Sequence, residues 1–228
     1  MKLYEKTAMT SLCTLFVILG VSLTSIIPVS AYSNNLSDEE IVGILFMREE
    51  EKLARDVYLA FAELYPAYSI FNNIASSEQR HMDSMERLID RYDLDDPVAE
   101  NDIGEFTDQS LQDLYNTLVI QGSQSLINAL QVGAAIEEID ILDIKEYLET
   151  SNEWMINRIY DNLLDGSENH LRAFVNELSM QGYTYQPQYL DEETFNDIID
   201  ADSDSGRNGP IWDEIMDWVR GLFRWRNG

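Results

Sequence analysis

The sequence predicts an all-α fold: a four-helix bundle with a long crossover between its second and third long helices, plus a short amphipathic helix at the C-terminus. Three observations predict it. Apolar residues recur at spacings of three and four along four long stretches, the period of a helix with one buried face. Pro66, Gly122 and Gly182 punctuate those stretches where helices should stop. Between these breaks no convincing strand alternation is seen.

Taken in order, residues 1–31 read as a signal peptide. Lys2 and Lys6 precede an apolar run from Leu12 to about Val29, and Val29-Ser30-Ala31 offers small residues for cleavage. The expected location is therefore secreted or extracytoplasmic; an uncleaved membrane anchor is the competing reading, because the run approaches the ~18 residues of a span. The single cysteine, Cys13, lies in this segment, so the mature chain would have neither a disulfide nor a thiol ligand. Residues 32–37 form a polar linker. Ser37 and Glu40 make a capping box for a helix from Asp38 to about Tyr65. A second helix is expected from Phe71 to Arg91, then a long connection carrying Asp95, Asp96, Pro97 and Gly104. A short helix from Leu111 to Gln121 leads to Ser123, the expected cap of the third long helix, which runs to Glu149. Ser151 or Asn152 should cap the fourth, ending near Met180. The bundle is placed over 38–198 and a linker over 199–210. In 211–228, Ile211, Trp212, Ile215, Met216, Val219, Leu222 and Phe223 share a helical face, with Arg220, Arg224 and Arg226 nearby. This pattern suits a helix lying in a membrane interface or folding back on its own bundle.

Composition narrows the function. Forty-two acidic residues against 15 basic give a formal charge of −27. Phosphate binding needs a basic face, so nucleic acid is excluded as an expected partner. After residue 31 only Lys52 and Lys145 are lysines, which fits an acidic, salt-adapted surface. A homodimer is compatible with this composition.

The informative residues are the polar ones inside the apolar stripes. The first helix reads Ile44, Met47, Glu51, Ala54, Tyr58, Phe61; the second Ile74, Glu78, His81, Met85, Leu88. The third reads Leu126, Leu130, Gly133, Glu137, Asp140, Ile144; the fourth Ile156, Tyr160, Leu163, Ser167, His170, Phe174. Each stripe is apolar or small at its ends and polar in the middle. A buried carboxylate must be paired, protonated or bound to metal, and Arg48, Arg55 and Arg80 are too few to pair them all. Metal ligation accounts for the whole set: Glu51, Glu78, His81, Glu137, His170 and Asp140. Both histidines of the chain fall on these stripes. Oxygen-rich ligation with one histidine per metal suits iron or manganese better than zinc or copper. The competing reading places Glu50, Glu51 and Glu138 on the surface and the histidines in an ordinary hydrogen-bonded core.

The run Glu51-Lys52-Leu53-Ala54-Arg55-Asp56-Val57-Tyr58-Leu59-Ala60-Phe61-Ala62 resembles the first metal helix of rubrerythrins, and Glu78-Gln79-Arg80-His81 resembles the Glu-x-x-His of their second. Residues 37–198 as a whole more closely resemble an uncharacterised ferritin-like family of bacteria and archaea, through Arg48–Tyr58, Gly133–Ile144 and Gly166–Phe174. The resemblance implies a ferritin-like bundle with a carboxylate-bridged di-iron or related centre. It departs at Ser167-Glu168-Asn169-His170, where rubrerythrins carry Glu-x-x-His; Asp140, three after Glu137, is placed to compensate. The expected cofactor is two iron ions, or manganese. The expected activity is Fe(II) oxidation or peroxide reduction, with a non-catalytic metal-binding bundle as the alternative. Tyr58 is read as packing first and as tuning the site second.

Overall fold

The computed structural model describes residues 36–205, with side chains to residue 201. The expected signal peptide (1–31) and the expected C-terminal amphipathic helix (211–228) lie outside the described residues. Six helices and no strands occur among the described residues: α1 (Asp38–Leu64), α2 (Ile70–Tyr92), α3 (Gln109–Gly122), α4 (Leu126–Thr150), α5 (Trp154–Met180) and α6 (Glu192–Ser205). None is long and apolar enough to cross a membrane.

The caps explain most boundaries. Ser37 and Glu40 form the expected capping box on α1, which closes before Pro66. Asp108 caps α3 by accepting from Ser110 and Leu111. Two expected caps are corrected. Ser125, not Ser123, caps α4, because the backbone of Ser123 closes α3 instead. Glu153 precedes α5 without a side-chain cap. The Ser151 hydroxyl is engaged with Glu40 Oε1 at 3.1 Å, and that same oxygen accepts from the amides of Asn152 and Glu153. Glu40 thus ties the start of α1 to the α4–α5 turn. Gly182, at φ +77°, ends the region after α5 in the left-handed conformation that glycine tolerates.

The four long helices close a circuit: α1 packs on α2 and α4, and α5 on α4 and α2, while α3 leans on α1 and α4. One apolar layer holds Ile44, Met47, Met85, Leu88, Ile144, Ile156 and Leu163. At the opposite end Tyr58, Phe61, Phe71 and Phe174 make a chain of ring contacts. The crossover after α2 is pinned by buried charge. Lys52 pairs with Asp56 and donates to the carbonyls of Asp102 and Glu105, while Asp56 accepts from the Gly104 amide at 2.8 Å. Arg48 reaches the Met82 carbonyl and the Asp96 carboxylate.

The chain divides into two compact units, the first ending at Tyr189 and the second beginning at Leu190. The second contains α6, which runs into the first residues of the stretch expected to be the 199–210 linker.

Candidate metal centre

The polar middle of the stripes converges between the two apolar layers. Glu51, Glu78 and Glu137 are fully buried, and His81 and His170 are nearly so, their side chains 12 % and 10 % exposed. Their ligand atoms form two clusters, Glu51–Glu78–His81 and Glu78–Glu137–His170, which share Glu78. His81 Nδ1 lies 3.1 Å from Glu51 Oε2 and 2.8 Å from Glu78 Oε2. His170 Nδ1 lies 2.7 Å from Glu78 Oε1 and 3.4 Å from Glu137 Oε2. One oxygen of Glu78 thus faces each imidazole, and the rings stack at 5.5 Å between centroids.

These approaches are close but mostly misaligned as hydrogen bonds. Neither oxygen of Glu78, nor Glu51 Oε1, Glu137 Oε2 or His170 Nδ1, has a hydrogen-bond partner. Buried polar atoms are normally satisfied. The ligand atoms of each cluster all lie within 4.8 Å of one another, so the donor set fits a pair of metal ions. Nearby cations do not take up this charge: Arg48 is bound to Asp96 and Met82, and Arg55 to Asp56 and Gln79.

Local sequence makes the room. A Cβ on Gly166 would lie 2.5 Å from the His81 ring. Ser167 is buried, but its hydroxyl back-bonds to the Leu163 carbonyl at 3.2 Å, so α5 supplies only His170 to the two clusters. Tyr58 donates to Glu137 Oε1 at 2.6 Å and packs its ring at a tilt against Phe174. Asp140 is buried but belongs to neither cluster, and neither of its oxygens has a hydrogen-bond partner.

The protein alone balances these groups with protons. Burial pushes the Glu51 carboxyl up to about 8, although His81 pulls against it. Burial acts the same way on Glu78, but His170 and His81 together hold it well below the ordinary range. Burial would lower both imidazoles; Glu51 and Glu78 raise His81 to about 11, and Glu137 and Glu78 raise His170 to about 10. Burial and the neighbouring Glu137 carboxylate push the Tyr58 phenol well up.

Sequence reasoning missed several buried carboxylates. Glu138, entertained as a surface residue, is fully buried and accepts from the Tyr185 hydroxyl and the amides of Gln188 and Tyr189. Glu50 is also buried. Both sit one step along the helix from an anticipated ligand, and no stripe separates neighbours so close.

Fold and centre together define an all-helical protein with paired carboxylate–histidine clusters at its middle. Residues 40–202 match the family described as "Uncharacterized protein domain (DUF2202)", and the chain belongs to that family. It is 43 % identical over 173 residues to "Uncharacterized protein MJ0754" of Methanocaldococcus jannaschii, covering 76 % of this chain and 93 % of that protein. A crystal structure titled as hypothetical protein MJ0754 from Methanococcus jannaschii superposes with a TM-score of 0.69 at 44 % identity, covering 75 % of this chain and 97 % of the other.

Proposed function

We propose that the chain is a ferritin-like four-helix metalloprotein that holds two iron or manganese ions and reduces dioxygen or peroxide, exported through its 1–31 segment. The observation that carries this reading is Glu78, whose two oxygens each face a different histidine. Glu51 and His81 would hold one ion, Glu137 and His170 the other, and Glu78 would be shared. Metals so held would supply the one-electron steps that Fe(II) oxidation or peroxide reduction needs. The chain's own residues do the rest. Tyr58 fixes Glu137 through its hydroxyl, Gly166 leaves the space His81 occupies, and the Tyr58, Phe71 and Phe174 rings keep water from one end. The resemblance to rubrerythrin helices around Glu51 and Glu78 supports the reading.

The test is anaerobic loading of the purified chain with Fe(II), followed by dioxygen or peroxide. Metal-dependent consumption of either is expected. Two tightly held metals with no consumption would favour the second reading, a bundle that only sequesters metal. The back-bonded Ser167 hydroxyl speaks for that reading, since it leaves α5 with one ligand in the two clusters.

A further inference from the structure

Among the described residues, the carboxylates of the paired clusters are walled off on most sides. Tyr58, Phe61, Phe71 and Phe174 close one end, and Ile44, Met47, Met85 and Leu88 the other, every one fully buried. Across α1 and α2, Arg55 bonds Gln79 and Arg48 bonds the Met82 carbonyl, each at 2.6 Å. Helix α3 leans on α1 and α4, where Ala54, Val57 and Ala134 are shut off from solvent. Helix α5 packs on α4, with Ile141 and Leu171 fully buried. The seam between α2 and α5 differs. There the side chains of His81 and His170 keep 12 % and 10 % of their surface in contact with solvent, against 1 % or less for Glu51, Glu78 and Glu137. The inner edge of His81 carries Nδ1, 3.1 Å from Glu51 Oε2 and 2.8 Å from Glu78 Oε2. Its outer edge lies against the backbone of Gly166, where an added Cβ would stand 2.5 Å from both Cε1 and Nε2. One imidazole thus spans the seam, with carboxylates on its inside and bare α5 backbone on its outside.

We propose that the α2–α5 seam is the entrance through which divalent metal ions reach the centre, and that His81 is its gate, closing against Gly166. The inference rests on the paired-metal reading above and adds a route to it. A turn of the His81 ring towards solvent uncovers Glu51 and Glu78 together, since both face the same nitrogen. Glycine inside a helix is costly, and clearance for a moving ring accounts for it at Gly166. Ser77 lies four before His81 on α2, and Ala173 three after His170 on α5; both are half-buried. Residues so spaced are neighbours on a helix surface, so bulk at either position narrows the seam without replacing a ligand.

The experiment follows Mn2+ alone, mixed rapidly with the chelator-stripped full chain and later released into excess chelator. Uptake and release are both read from the paramagnetic resonance of the free ion, in high sodium chloride to suppress loose binding to the acidic surface. An obstacle on a path slows both directions by one factor and leaves affinity unchanged, whereas a damaged ligand changes affinity. Ser77→Leu and Ala173→Leu should each slow uptake and release alike, at least about fivefold, at wild-type stoichiometry and affinity. Ala173→Gly removes bulk and should quicken both. Asn116→Leu, exposed on α3, should change neither. A helical circular-dichroism spectrum verifies each fold. Wild-type rates in both leucine variants would overturn the entrance while leaving the paired site standing. Faster release at unchanged uptake would overturn it too, because that pattern marks a disturbed ligand. Should the leucine variants not fold, Ala173→Gly decides alone, and unchanged rates in it count against the entrance. A wild type that takes up no Mn2+ overturns the paired-metal reading itself, and the entrance with it.

Discussion

At the scale of the residue, small side chains beside the histidines decide whether the ligands can converge. Gly166→Ala would drive a methyl group into the His81 ring. Such overpacking costs about 1–3 kcal/mol, and the displaced imidazole should weaken Mn2+ binding at least about tenfold. Calorimetric titration beside thermal melting checks both; an unchanged affinity would mean the ring is not a ligand. Tyr58→Phe removes only a hydroxyl, the donor to Glu137 Oε1. A loss of about 0.5–1.5 kcal/mol is expected, read from urea unfolding. Protons supply the third prediction. His81 and His170 rise from 6.5 to about 11 and about 10, and Glu51 from 4.5 to about 8. Each binds its proton more tightly folded than unfolded, so each contribution to stability is complete below the unfolded value and is lost as pH climbs through the folded one. The chelator-treated protein should therefore melt at steadily lower temperature as pH rises from about 5 towards 9. The rise in melting temperature on adding Mn2+ should grow over the same range, because metal and proton compete for Nδ1. Melting curves at three pH values with and without Mn2+ decide it, and a metal effect that shrinks with pH would contradict it.

At the scale of the element, buried charge anchors loops that carry no secondary structure of their own. Lys52 and Asp56 gather three backbone groups of the crossover. Lys52→Met removes one of the two cations on the buried Asp56, leaving Arg55, and should cost about 1–3 kcal/mol, whereas the double change Lys52→Met/Asp56→Leu also takes the acceptor from Arg55 and the Gly104 amide and should cost more. Chemical unfolding of the three proteins measures the difference; equal losses would mean the pair does not hold the loop. This anchor was not legible in the sequence, and the reason is physical. Helix periodicity shows which face is apolar, and Glu51, Glu78, Glu137 and His170 interrupt an apolar face, so they stood out. Lys52 and Asp56 lie on the flank of α1, where solvent is the default expectation. Only the fold shows that the chain returns some 50 residues later to cover them. Glu138 escaped for the same reason, its partners Tyr185, Gln188 and Tyr189 arriving from beyond α5. Helix extents fared better because Ser37, Pro66 and Gly182 act locally, while Ser123 and Ser151 failed as caps once neighbours claimed them.

At the scale of the whole molecule, the fold is an acidic body with a charge of −27 that keeps its most costly carboxylates inside. Folding must therefore carry protons into its centre, and a cation that replaces them in the folded state alone should raise stability. Glu78 gives this a further consequence. One carboxylate faces both histidines, so what engages it at one cluster is felt at the other. Were the proposed metals bound, the first would displace protons held around Glu78, and the second would meet a carboxylate already freed of them. Filling should then run nearly all-or-none, with half-filled molecules scarce at any concentration. Cells short of metal would hold a mixture of full and bare protein in place of a uniformly half-loaded stock.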